Sequence, residues 1–136
     1  MKGKYLFVYG TLMKGMNAYE LLAGTGARFV AEASIQGRLY DVGDYPAVVK
    51  VNEADASVAG ELFVATDATM AAVDEYERYR PEDARSLFVR EVTTASRKDN
   101  GEVVDAWAYF YNQSQRGRLS PAKRIKSGNY RLAKAN

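Results

Sequence analysis

The sequence predicts an α+β domain: a mostly antiparallel sheet, curved or closed into a β-barrel, flanked by a few short helices. Three observations carry this. Short β-branched and aromatic runs outnumber helical patterns, Gly, Pro and Asn clusters separate them, and an Asn-Gly turn joins the last two long runs. Lys4 to Tyr9 reads as a buried strand that ends at Gly10, and Gly10 to Gly15 reads as a loop. Asn17 is placed to cap a short helix through Leu22, which Gly24 and Gly26 would end. Ser34 to Tyr40 reads as a strand, Asp41 to Pro46 as a turn, and Ala47 to Val51 as a short strand. Asn52 to Ser57 is a polar turn before a strand from Val58 to Ala65. The best helix runs from about Ala68 to Tyr79. Thr66 or Asp67 would cap it, and Pro81 bars its continuation because Arg80 before it prefers extended geometry. Leu87 to Ser96 and Glu102 to Tyr111 form a hairpin across Lys98 to Gly101, where Asn-Gly accepts the positive φ of a tight turn. Pro121 to Ile125 fits a helical turn. No repeat or linker interrupts the chain, so residues 1–136 read as one domain with a basic C-terminal segment from about 113.

Composition removes whole classes of chemistry. With 136 residues, 47% of them hydrophobic, the chain can build a core without disulfides or metal. It has no Cys and no His. That excludes thiol nucleophiles, Ser-His-Asp machinery, zinc fingers and His- or Cys-ligated haem. Acid-base work falls to Asp, Glu, Lys or Tyr. No apolar run approaches the ~20 residues of a membrane span. The run after Lys4 is too short for a signal peptide, so the expected setting is cytoplasmic, with no membrane. The net charge of +2 hides an asymmetry: no acid follows Asp105, while seven cations do, from Arg116 to Lys134. Such a tail suits an anionic partner or a solvated terminus. Its one aromatic residue, Tyr130, offers no stacking platform, which argues against nucleic acid.

Two places carry candidate chemistry. On the helix, Met70, Val73 and Glu77 share a stripe at i, i+3 and i+7, while Glu75 faces the other way and Asp74 sits on the border. A carboxyl on an apolar stripe has a raised pKa and suits general acid-base catalysis. Near a helix end it can instead reach solvent, or pair with Arg78, Arg80 or Arg90. In the first loop, Gly10 and Thr11 can present consecutive N–H groups to a carboxylate or an oxyanion. It is not a phosphate loop, because no Gly-Lys-Ser/Thr run is present. Tyr5, Tyr9, Tyr40, Tyr45, Phe88, Trp107, Tyr109 and Tyr111 lie on or beside strands, where they suit either a polar pocket or the core.

Taken in order, several blocks resemble the gamma-glutamylcyclotransferase superfamily, most of all its gamma-glutamylamine cyclotransferase branch. They are Val8 to Leu12; Gly37 to Asp41 with Gly43, Tyr45, Pro46 and Ala47; Gly60 to Phe63; Val73 to Glu77; Phe88 to Arg90; Ala106 to Tyr111; and Ile125 to Tyr130. The resemblance implies a small barrel with a pocket at the Tyr9-to-Leu12 loop. It also implies a carbon-nitrogen lyase, or acyl-transfer, enzyme that releases 5-oxoproline from a γ-glutamyl amine or small peptide, with no cofactor or metal. Glu77 takes the place of the catalytic acid/base, and Tyr9, Gly10, Thr11, Leu12, Tyr45, Phe88 and Tyr111 would meet the substrate. The chain departs from the pattern twice. Phe88 stands where a tyrosine is usual, and Arg78 stands where glycine is frequent, its charge expected to lower the pKa of Glu77. Two other readings remain at this stage: a non-catalytic pocket for an amino-acid-like ligand, and a basic-tailed nucleic-acid binder. The oligomeric state is open.

Overall fold

The first strand is apolar on both faces because it is buried between two neighbouring strands. The computed structural model describes residues 5–43, 45–52 and 56–134. In chain order the elements are β1 (Tyr5–Val8), α1 (Glu20–Ala23), β2 (Arg28–Gln36), β3 (Arg38–Asp41), β4 (Pro46–Val49), β5 (Ser57–Val64), α2 (Asp67–Tyr76), β6 (Phe88–Arg97), β7 (Val103–Tyr111), α3 (Gln113–Arg116), a 3-10 turn (Pro121–Lys123) and α4 (Tyr130–Ala133). Strands β1-β5-β2-β6-β7 close into a barrel, with one parallel pairing, Leu6 beside Trp107 on β7, and all others antiparallel. The small sheet of β3 and β4 is a hairpin, Arg38 opposite Val49 through Asp41 opposite Pro46. Leu6, Phe7, Leu62, Phe63 and Val73 are fully buried, so β1, β5 and α2 share one core. Among the described residues no helix is long and apolar enough to cross a membrane.

The barrel agrees with the expected fold class; several boundaries move. Asn17 caps nothing. The chain from Gly10 turns repeatedly, through Met13 N–H to Gly10 O and Met16 N–H to Met13 O, each 3.0 Å, and α1 starts only at Glu20. Tertiary hydrogen bonding wins there, since Ala18 N–H is committed to Thr11 O at 2.9 Å. The expected strand from Ser34 to Tyr40 is two strands. β2 ends at Gln36, and Gly37 breaks the run where a Cβ would stand 2.8 Å from Val48 Cγ1. β2 also begins at Arg28, because β5 gives its partly exposed first half a ladder. The middle of the polar turn expected at Asn52 to Ser57, residues 53–55, lies outside the described residues, as do Lys4 and Asp44. The tail is not a solvated appendage. Tyr130 is 4% exposed, Ile125 N–H donates to Leu39 O at 2.7 Å, and Gly128 O accepts from Ala59 N–H at 2.8 Å.

Helix α2 decides where the candidate acid sits, and both its ends are defined. Thr66 Oγ1 accepts from Thr69 N–H at 3.0 Å while Thr69 Oγ1 accepts from Thr66 N–H at 3.2 Å, a reciprocal capping box. The helix ends at Tyr76, three residues before the expected Tyr79. Glu77 is the C-cap, Arg78 N–H returns to Glu75 O at 3.2 Å, and Tyr79 N–H returns to Asp74 O at 2.9 Å. That is a Schellman closure, which needs a left-handed residue just past the cap. Arg78 takes that role at φ 59°, the one positive φ outside glycine among the described residues. Thr66→Ala removes the N-terminal cap and is expected to cost about 1 kcal/mol, read as a lower urea midpoint at unchanged slope. Arg78→Gly relieves the left-handed strain and is expected to raise stability by about 1 kcal/mol in the same measurement.

Candidate active site

Strand β1 delivers Tyr9 and Gly10 to the barrel's mouth. Glycine is required at 10 by space, for a Cβ there would lie 2.4 Å from Pro46 Cγ at the head of β4. The loop thus packs flat against the β3–β4 hairpin. A cavity of about 390 Å³ opens beside it. One wall is Phe7 to Leu12 with Tyr45 and Pro46; Tyr76, Glu77, Arg78, Leu87, Tyr109 and Arg116 complete the lining. Among the described residues, the N–H groups of Gly10, Thr11 and Leu12 are not used by another main-chain carbonyl, which leaves them available to an anion.

Glu77 lines this cavity, half-buried, one turn beyond the fully buried Val73. Loss of water raises its pKa to about 7. The expected lowering by Arg78 is not seen, for burial alone is the cause of the shift. None of the candidate ion partners takes Glu77 either, and Arg90 is committed to Asp74. Tyr9, beside Glu77, has a phenol pKa pushed well above its usual value, first by burial and then by the Glu77 charge. It stays a neutral donor, its hydroxyl 2.6 Å from Tyr109 O.

Two sets of contacts hold the walls in place. Behind Glu77, Arg90 Nη1 donates to both carboxylate oxygens of Asp74, at 3.0 and 2.9 Å, and the Tyr109 hydroxyl donates to Asp74 Oδ1 at 2.5 Å. The Arg90 guanidinium also lies 4.7 Å from the Trp107 ring centre. These bonds fasten the last turn of α2 to β6 and β7. At the loop, Glu61 is 6% exposed and accepts from Lys14 N–H at 2.8 Å and from Arg131 at 3.0 Å, while Arg131 also donates to Lys14 O at 2.8 Å. The tail therefore clamps the far end of the loop. Thr11 Oγ1 and the Tyr76 hydroxyl, 2.7 Å apart, bridge the two walls.

Of the residues singled out from sequence, Tyr9, Gly10, Thr11, Leu12, Tyr45 and Glu77 meet around the cavity. Phe88 and Tyr111 are not in its lining. Phe88 stands edge-on to Tyr45 and Tyr111, at 5.7 and 6.4 Å between ring centres, and Tyr111 donates to Arg116 O at 3.1 Å. They form a layer behind Tyr45 and the rim. Sequence reasoning missed Tyr76, Arg78, Leu87 and Arg116 as lining residues, and left Tyr109 open between pocket and core. Tyr76 and Arg78 had a signal, as neighbours of Glu77 at a helix end; Arg116 had none beyond membership of the basic tail.

The raised pKa of Glu77 has a stability consequence. The folded chain keeps the Glu77 proton where the unfolded chain, near the ordinary 4.5, has lost it. Stability attributable to Glu77 is therefore lost as pH rises from about 4.5 through about 7. Glu77→Gln lacks this titration, so its Tm should gain on the wild type between pH ~4.5 and pH ~8. A constant difference across that range would place Glu77 in water.

The model of the family described as "Gamma-glutamyl cyclotransferase, AIG2-like" matches residues 6–132. The chain is 36% identical over 110 residues to the gamma-L-glutamyl-butirosin B gamma-glutamyl cyclotransferase of Niallia circulans, covering 79% of this chain and 67% of that protein. Several solved structures share the fold, among them the following two. Bacillus subtilis YkqA matches with a TM-score of 0.73 at 24% identity over 98% of this chain, which spans only 43% of the YkqA chain. An AIG2-like protein from Mus musculus matches with a TM-score of 0.70 at 19% identity, covering 88% of this chain and 81% of that one. The chain belongs to the gamma-glutamyl cyclotransferase, AIG2-like family.

Proposed function

We propose that the protein releases 5-oxoproline from a γ-glutamyl amine or small γ-glutamyl peptide, with Glu77 as general acid/base. The observation that carries this is a carboxyl with a pKa of about 7 in the same cavity as the N–H groups of Gly10, Thr11 and Leu12, which no main-chain carbonyl of the described residues takes. Family membership supports the same reaction class. The substrate's own α-amine attacks its γ-carbonyl carbon and closes a five-membered ring. Both reacting atoms belong to one molecule, so the protein's main task is to hold the productive rotamer. The Glu77 carboxylate takes a proton from the attacking nitrogen. The resulting carboxylic acid returns it to the departing nitrogen as the C–N bond breaks, which turns a poor leaving group into a neutral amine. The loop amides bind the substrate's α-carboxylate or the oxygen that gathers charge in the tetrahedral intermediate. A pKa near neutrality lets one group serve in both directions. A pocket that only bound an anionic ligand would gain nothing from this carboxyl.

The test is a panel of γ-glutamyl amines, γ-glutamyl dipeptides and glutathione, with 5-oxoproline as the readout. Glu77→Gln keeps the side chain's size and removes the proton carrier, and should lose at least ~10²-fold in kcat. An undiminished rate would take Glu77 out of the mechanism. In the wild type, kcat/KM should fall on the acid side of about 7, where the base becomes protonated.

A further inference from the structure

Among the described residues, the charged residues that line the cavity besides Glu77 are two arginines, Arg78 and Arg116. Both are exposed, and among the described residues neither guanidinium has a carboxylate partner. Most other arginines near the site are committed: Arg90 to Asp74 and Arg131 to Glu61. Arg78 also occupies a left-handed position that glycine fills without strain. A costly conformation that presents a side chain at a cavity invites a functional reading.

Resting on the cyclotransferase reading, we propose that Arg78, aided by Arg116, selects γ-glutamyl compounds whose departing amine carries an anionic group, a carboxylate above all. On that reading Glu77 touches the departing nitrogen, and Arg78, the next residue along the chain, lines the same cavity and offers a cation to what that nitrogen carries. The glutamyl unit's own α-carboxylate has other donors, the N–H groups of Gly10 to Leu12 on the loop wall. A guanidinium fork matches a carboxylate through two parallel hydrogen bonds, which an ammonium cannot reproduce.

The test compares γ-glutamylglycine with γ-glutamylethylamine, which lacks the carboxylate. Two quantities are read: kcat/KM from 5-oxoproline release, and Kd by calorimetry with Glu77→Gln as the background. The preference for γ-glutamylglycine should be at least ~10-fold, the scale of a charge-assisted pair. In Arg78→Gly that ratio should fall toward one, Arg116→Gln should lower it further, and Arg78→Lys should restore part of it. Arg78→Gly relieves strain at its position, so a lost preference cannot be blamed on misfolding. An unchanged ratio overturns the proposal. So does an equal loss for both compounds, which would mean that the arginines hold the glutamyl carboxylate instead. If neither compound yields 5-oxoproline but calorimetry shows the Arg78-dependent preference, the reaction falls and the anion-selective rim stands. If the preference is absent from calorimetry, the rim falls whatever the turnover.

Discussion

The docking of the last turn of α2 against the barrel is the constraint on which the site depends. A carboxyl at a helix terminus would ordinarily swing into water and keep its usual acidity. Here the helix is not free to tilt. Val73 is buried in the core, Asp74 is bound by Arg90 and Tyr109, and the Schellman turn closes directly behind Glu77. Each contact alone is modest. Together they hold one acid where desolvation, rather than an ion pair, sets its protonation.

The opposite wall is built by a different logic. The loop after β1 has no helix or ladder to stiffen it, so its rigidity is tertiary. Gly10 lies against Pro46 with no room for a Cβ, and Glu61 and Arg131 fasten the main chain of Lys14. A nearly buried glutamate with one cationic partner is costly to leave alone, so the clamp keeps the C-terminal helix tied to the loop. This also accounts for part of the charge asymmetry. Arg131 and Lys134 offset acids placed much earlier in the chain, Glu61 and Asp41, while Arg116 stands at the cavity.

How legible all this was in the sequence varies with the range of the interactions. The N-terminal cap of α2 and the Asn-Gly hairpin turn are local, spanning a few residues, and they read directly; the stripe that carries Glu77 read directly too, but not whether the carboxyl turned inward or reached solvent. The early end of α2 was half legible: Pro81 bars continuation, but the stop three residues sooner comes from Arg78 in a left-handed conformation that its identity disfavours. The start of β2 at Arg28 and the break at Gly37 were not legible. Their causes are the ladder to β5 and a contact with Val48 on another strand.

Composition and pattern by themselves determined the fold class, the absence of thiol and imidazole chemistry, the presence of an acid on an apolar stripe, and a glycine turn at the end of the first strand. Tertiary structure alone decided that the acid and the amides share one cavity, that Phe88 and Tyr111 stand behind it, and that a C-terminal arginine secures an N-terminal loop. The reason is physical. Helix stripes and turns are set by neighbours a few residues apart, whereas desolvation and ion pairing depend on which distant segments exclude water from the same small volume.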